Sequence, residues 1–280
     1  MKGIFHICLC CILSLLASDA VAQSGTNSVN PATPQLKTVQ KPKVKKPKPL
    51  RTELSGGLRL NTDGWSIFVD KGWVRSEERY SDLFYNVRLL QVEFTEKKHP
   101  QEIKRTNTIG AYTEDKPRPF IYGKINNFYA LKIGYGGRKM LAGKPEPTNI
   151  SLHWVYVGGL SIGFQKPYYI DAYVVQDQNG TIVQETIKYT DSTKQPFLTK
   201  SQIIGSAGFS KGIGEVKIIP GIHAKTGLHF DFAATKHGKV AIETGVGFEY
   251  YTSKVELMAN KEGRPMFVNV YASIQFGKRW

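Results

Sequence analysis

Between Asn149 and Phe164 the chain separates into two chemically opposite sets when read in steps of two. The even positions are Ile150, Leu152, Trp154, Tyr156, Gly158, Leu160, Ile162 and Phe164. Most of the odd positions are small or polar: Asn149, Ser151, His153, Gly159, Ser161 and Gly163, with Val155 and Val157 among them. Successive side chains of a strand point to opposite sides of its sheet. Such a segment therefore makes a strand with one large apolar face and one small or polar face.

The same alternation recurs along the chain. Trp65, Ile67, Val69 and Trp73 oppose Ser66, Asp70 and Gly72, after a turn cluster at Asn61 to Gly64 suited to a hairpin. Tyr129, Leu131, Ile133 and Tyr135 oppose Lys132, Gly134, Gly136 and Arg138. Near the C-terminus, Ile218, Ile222, Leu228, Phe230 and Phe232 share one parity, while Glu215, Lys217, His223, Lys225, His229 and Asp231 share the other. Val240, Ile242, Val246, Phe248 and Tyr250 oppose Lys239, Glu243 and Glu249. Met266, Val268, Val270, Ile274, Phe276 and Trp280 oppose Asn269, Ser273, Gln275 and Arg279. Between Tyr85 and Phe94 the apolar parity changes from Val87 and Leu89 to Leu90 and Val92, which predicts a β-bulge near Leu89-Leu90.

The N-terminus carries an export pattern: Lys2, an apolar core from Ile4 to Leu16, and a small-x-small site at Ala20-Val21-Ala22. Residues 1–22 are read as a cleaved signal peptide. All three cysteines, Cys8, Cys10 and Cys11, fall inside it, so the mature chain is expected to hold no disulfide and no thiolate site. No later stretch is long and apolar enough for a spanning helix. In lipid every backbone polar group must be paired, so a membrane chain without spanning helices closes its strands into a barrel. Charges on a lipid face cost about 2–4 kcal/mol each at the midplane, which puts the apolar parity outside and the polar parity in the lumen.

Residues 23–50 form a linker rich in Ser, Asn, Pro and Lys that ends in the run Lys41 to Pro49. Proline and repelling lysines predict a disordered, extended tail. The formal charge is +15 at pH 7, which favours anionic partners. Lys41, Lys43, Lys45, Lys46 and Lys48 are the tail's contact candidates. After export, those partners are lipopolysaccharide phosphates, cell-wall polymer or another envelope protein rather than nucleic acid.

Residues 51–280 are read as the barrel, an all-β antiparallel ring of about 8–10 strands. Two stretches, Lys97 to Tyr122 and Gln165 to Lys200, do not resolve into single clear strands. In the second, Asn179-Gly180 between Tyr173 to Val175 and Thr181 to Val183 signals a further hairpin. A barrel of this size is filled by its own side chains. The candidates for its lumen are Arg138, His153, Glu215, Lys217, His223, Lys225, His229 and Asp231.

The signal end at Ala20-Val21-Ala22, the aromatic-rich alternating strands and the last strand from Met266 to the terminal Trp280 make the chain resemble the small outer-membrane β-barrels of Gram-negative envelopes. The resemblance covers residues 51–280. It implies insertion in the outer membrane, a terminal aromatic read by the assembly machinery, and a periplasmic basic tail. Lys278 departs from that terminal pattern, where an apolar residue or Tyr is usual. Pores, lipid-modifying enzymes, adhesins and secretion accessories share this architecture, so it does not choose a function.

Chemistry is sparse. Ser151 and His153 face the same way, as a hydrolase would need, but polar groups on the lumen side are required for packing in any case. His223 and His229 lie about 20 Å apart at about 3.3 Å per residue, too far to share a metal ion. Gly137 to Pro145 lacks the glycine spacing and the Ser or Thr of a phosphate loop. No cofactor or metal is expected. The reading is a non-enzymatic barrel that organises the envelope or serves a membrane complex such as a secretion system. The alternatives are a narrow anion-favouring pore lined by Arg138, Lys217, His223 and Lys225, a lipid-modifying hydrolase, and a soluble β-sandwich or lipocalin-like binder.

Overall fold

A computed structural model describes residues 52–76, 85–107, 118–142, 150–175, 180–232 and 238–280. The signal segment, the basic tail with Lys41, Lys43, Lys45, Lys46 and Lys48, and residues 143–149 lie outside these stretches.

The chain runs through β1 (Thr52–Asn61), β2 (Gly64–Ser76), β3 (Tyr85–Lys97), β4 (Lys104–Arg105), β5 (Phe120–Ile121), β6 (Asn126–Ala142) and β7 (Ile150–Pro167). It continues through β8 (Tyr169–Val175), β9 (Ile182–Lys188), α1 (Lys194–Leu198), β10 (Ile203–Ser206), a 3-10 turn (Ile213–Glu215), β11 (Lys217–Phe232), β12 (Gly238–Val255) and β13 (Arg264–Arg279). Eight strands close into an antiparallel barrel in the order β1-β13-β12-β11-β7-β6-β3-β2. Closure is by β1 against β13: Thr52 and Trp280 exchange backbone hydrogen bonds of 3.0 Å in both directions. The wall has no free edge, as membrane passage by strands requires.

Alternation sets the two surfaces. Leu60, Leu160 and Val268 point out of the wall and are 72%, 70% and 63% exposed, in the company of Leu58, Ile162, Ile218 and Phe276. An apolar exterior this continuous is far outside what a water-soluble monomer shows. The opposite parity is buried and largely charged. The first hairpin turns through Thr62-Asp63 into Gly64, whose φ of 149° and closeness to the Glu96 carbonyl leave no place for a side chain.

The expected bulge near Leu89-Leu90 is absent. Pairing of β3 runs without a shift from Tyr85 to Lys97 against β2, and Leu89 and Leu90 stand opposite Gly136 and Tyr135 of β6. Val87 and Leu89 are on the inward parity throughout, with Leu89 packed on Val155 and Val157 in an apolar patch of the interior. The change of hydrophobic parity reports a change in what fills the lumen, not a slip in the ladder.

Connections at the end bearing both termini, residues 77–84, 143–149 and 233–237, are short. The other end carries residues 98–107, 118–125, 168–175 and 180–216, which build a cap. There β10-β8-β9 form a three-stranded sheet and β4-β5 a two-stranded one. The hairpin expected across Asn179-Gly180 pairs Val174 with Val183, in the cap rather than in the wall. Phe120, Ile170, Ile187, Phe197 and Ile203 give the cap its own apolar core.

Candidate functional site

The barrel interior is where most of the inward-facing charges meet. Nearest the termini, the fully buried Glu53 receives Arg138, Lys239 at 3.1 Å and Arg279 at 3.2 Å. The Arg138 guanidinium also reaches Asp70 at 2.9 Å, and Gln91 donates to the same carboxylate at 2.6 Å. Arg279 pairs with Asp231 as well. His153 and His229 are register partners across β7 and β11, with ring centroids 6.0 Å apart.

Glu243 holds the middle. It lies 2.8 Å from Lys225, 3.3 Å from Arg59 and 3.2 Å from His229 Nδ1, and it accepts the Tyr271 hydroxyl at 3.1 Å. The Arg59 guanidinium pairs with Glu93 and sits between the rings of Phe68 and Tyr271, at 4.5 and 4.6 Å from their centroids. Toward the cap, Lys132 bridges Glu93 at 3.0 Å and Glu249 at 2.7 Å, and Lys97 bridges Glu249 at 3.1 Å and Asp63 at 2.6 Å. Ser161 Oγ is 3.2 Å from His223 Nδ1.

Beyond this layer the mouth is closed by an apolar plug. Phe128, Ile219, Tyr251, Val255, Leu257 and Met258 pack together, with Phe128 edge-on to Tyr251 at 5.0 Å. The free space among Arg59, Glu93, Lys132 and His223 is about 20 Å³, room for about one water molecule. A charge removed from water is tolerated when it is paired and hydrogen-bonded. The interior meets that requirement with cations and carboxylates interleaved.

The structure places Arg138, His153, His223, Lys225, His229 and Asp231 inside the barrel. Two residues expected there are elsewhere. Glu215 is exposed in the 3-10 turn before β11, where Lys188 pairs with it and the Tyr169 hydroxyl donates to it at 2.5 Å. Those hydrogen bonds hold its carboxyl below the usual carboxylate range. Lys217 has the inward parity but is the first residue of β11 and is exposed at the rim. Alternation carries no sign of where a strand starts, and both residues fall at that start.

The acids Glu53, Asp70, Glu93, Glu243 and Glu249 complete the network. Their inward parity is readable in the sequence, but their cation partners are up to 226 positions away and depend on the register. Ser151 is half-buried on the same side as His153, and its register partner is Asp231. The ring packed against His153 is that of His229. Among the described residues no three His, Cys, Asp or Glu side chains converge as a metal site would require.

Closed ladder, apolar outside and charged inside are now together. The architecture is that of an outer-membrane β-barrel. No protein-family model matches the chain, and no curated relative does. Among solved structures it is similar to Neisserial surface protein A, with 9% identity over 82% of this chain and 97% of that one, at a TM-score of 0.35. It is similar also to Ail, the attachment invasion locus protein of Yersinia pestis, with 9% identity over 82% and 99% and a TM-score of 0.34. A major outer membrane protein from Thermus thermophilus gives 11% identity over 82% and 99% and a TM-score of 0.38. At such scores nothing about this chain follows from those proteins, and its reading rests on its own residues.

Proposed function

We propose that the protein is a non-conducting, non-enzymatic barrel of the Gram-negative outer membrane that serves as an envelope anchor. The cap faces outward and the basic tail, residues 23–50, grips an anionic or protein partner in the periplasm. The observation that carries this reading is the filled interior, where Glu53, Glu243 and Glu249 pair with the surrounding cations and an apolar plug covers the capped mouth. A pore selective for anions needs an open path and unpaired positive charge, and Arg138 and Lys225 are each committed to carboxylates.

Sidedness is supported by the connections. Outer-membrane barrels have short periplasmic turns and long outer loops, and here the termini share the end with short connections. The tail would then start in the periplasm, where cell-wall polymer and other envelope proteins are within its reach.

The test is reconstitution in planar bilayers together with an affinity capture from envelopes. The expected result is a protein that resists carbonate extraction and gives no conductance steps, with a capture profile that changes when residues 23–50 are deleted. Regular conductance steps in the full protein would overturn the sealed-barrel reading, and an unchanged capture profile would overturn the anchoring role.

A further inference from the structure

Where β3, β6 and β7 reach the capped end, part of the outer face of the wall is covered by the cap rather than left bare. Between them lies a cavity of about 570 Å³, bounded by Tyr129 and Lys166 of the wall and by Lys104, Tyr168 and Phe209 of the cap, a size ordinary for a ligand site. Lys166 has the lipid-side parity of β7, yet it is only 4% exposed. Its ammonium lies 4.4 Å from the centre of the Phe209 ring. Among the described residues no carboxylate stands within ion-pair distance of it. Glu102 and Glu96, the two carboxylates that line the cavity, are taken by Lys124 at 2.6 Å and Lys98 at 3.3 Å. The ammonium lines the cavity without a counter-charge of its own, and an anion held there would supply one.

A second observation identifies the kind of anion. Directly beside the cavity, on the outer face of the wall, an apolar groove of about 470 Å³ runs among Leu58, Ile67, Val69, Val92, Phe94 and Leu131. Phe94 joins the two, since its ring stacks on Tyr129 at 5.9 Å with the planes 10° apart. Tyr129 in turn meets Phe209 edge-on at 6.3 Å. Phe209 is 67% exposed on the cap although it is a large apolar residue, as suits a side chain lying at the boundary of headgroups and acyl chains. A basic cavity contiguous with an apolar groove matches a molecule that is anionic at one end and hydrocarbon at the other.

We propose that this is a binding site for one anionic lipid of the leaflet on the capped side, its phosphate on Lys166 within the cavity and an acyl chain along the Phe94 groove. The inference rests on hydrocarbon bathing the outer face of the wall. Release of the protein by carbonate would fail that premise, whereas a membrane-integral protein without lipid preference would fail this site alone.

The experiment is native mass spectrometry of the full protein in detergent micelles, offered phosphatidylglycerol or phosphatidylcholine of the same acyl chains, with inorganic phosphate as a competitor. The expected result is retention of one phosphatidylglycerol, favoured about tenfold over phosphatidylcholine. That preference should be lost in Lys166→Gln, kept in Lys166→Arg, and kept in Lys254→Gln on the far side of the same rim. Equal retention of the two lipids, or an undiminished preference in Lys166→Gln, overturns the proposal. Displacement of the lipid by millimolar phosphate overturns it in favour of a free-phosphate site. If Lys166→Gln does not fold, Phe209→Ser carries the test, and unchanged retention in that variant also overturns the proposal.

Discussion

The Lys225 ammonium lies 2.8 Å from Glu243 Oε1 at mid-barrel, with both side chains almost wholly withdrawn from water. The same oxygen accepts from Tyr271 and lies 3.3 Å from Arg59, so one carboxylate joins β1, β11, β12 and β13. A bond of this kind spans the lumen and ties non-adjacent strands as well as neighbours. The wall is held by its ladder, and its cross-section is held by the charges inside.

Removing that carboxylate should therefore be costly. Glu243→Gln leaves Lys225 and Arg59 buried with less counter-charge, and breaking one partner of a buried pair costs about 3–5 kcal/mol. Urea unfolding of the protein reconstituted in liposomes should show a loss of that size. A change no larger than that of Glu185→Gln, an exposed residue of the cap hairpin, would show that the interior charges do not brace the barrel.

The outer face makes a different prediction. Leu160 is at the middle of β7, opposite Ile133 and Ile222, so Leu160→Arg should lower assembly by about 2–4 kcal/mol. Parity alone would assign the same penalty to Leu152. Leu152, however, is the third residue of β7 and stands opposite Ala142 at the end of β6. Arginine there reaches the interface, where the cost falls to about 0–1 kcal/mol. Folded and unfolded fractions after insertion into liposomes, separated by heat-modifiable gel mobility, check the ordering. Equal effects at the two positions would mean that depth in a bilayer is not what they sense.

The wall was legible in the sequence because its signal is local. Ile218 to Phe232 and Val240 to Tyr250 each declare a strand and its two faces without reference to any other segment. Of the cap, the β8–β9 hairpin was signalled by its Asn179-Gly180 turn, whereas β4, β5 and β10 are two to four residues long and too short to establish a period. Arg59 and Glu93 illustrate a further limit. Each has inward parity, but that they meet is a consequence of the cross-section and the register, which no single strand encodes. Lys166 is the opposite case: its parity says lipid, and only the folding of residues 204–209 over it makes it part of a site.

The junction between cap and barrel should respond to pH. Glu215 accepts from Tyr169 and pairs with Lys188, and those hydrogen bonds lower its pKa. A lowered carboxylate pKa contributes stability that is complete above the ordinary value and disappears as the pH falls through the lowered one. The partners act at the other extreme. The Lys188 pKa is raised by the same hydrogen bond, so its contribution is present at neutral pH and lost only as the pH rises past the raised value. Amide exchange in residues 169–175 and 213–216, measured against the intrinsic exchange rate at each pH, should accelerate at about pH 3 relative to neutral pH. In Glu215→Gln that acceleration should be absent. Equal acceleration in the variant would assign the pH response to other carboxylates.

Gly134 and Gly159 are register partners where β6 meets β7. A Cβ on Gly159 would fall 2.0 Å from the Ile133 carbonyl oxygen and 2.6 Å from the Gly134 Cα, so the backbones themselves would have to part. At Gly158, one residue earlier, the nearest atom to such a Cβ is the His223 carbonyl oxygen at 3.7 Å, an ordinary contact. Gly159→Ala should thus cost about 1–3 kcal/mol, the usual range for forcing extra volume into a packed interior, while Gly158→Ala should leave the unfolding midpoint unchanged. The pair of variants is diagnostic because the chemistry of the substitution is identical and only the face of β7 differs. A larger loss at Gly158 would mean that the two sides of this strand are the reverse of those described.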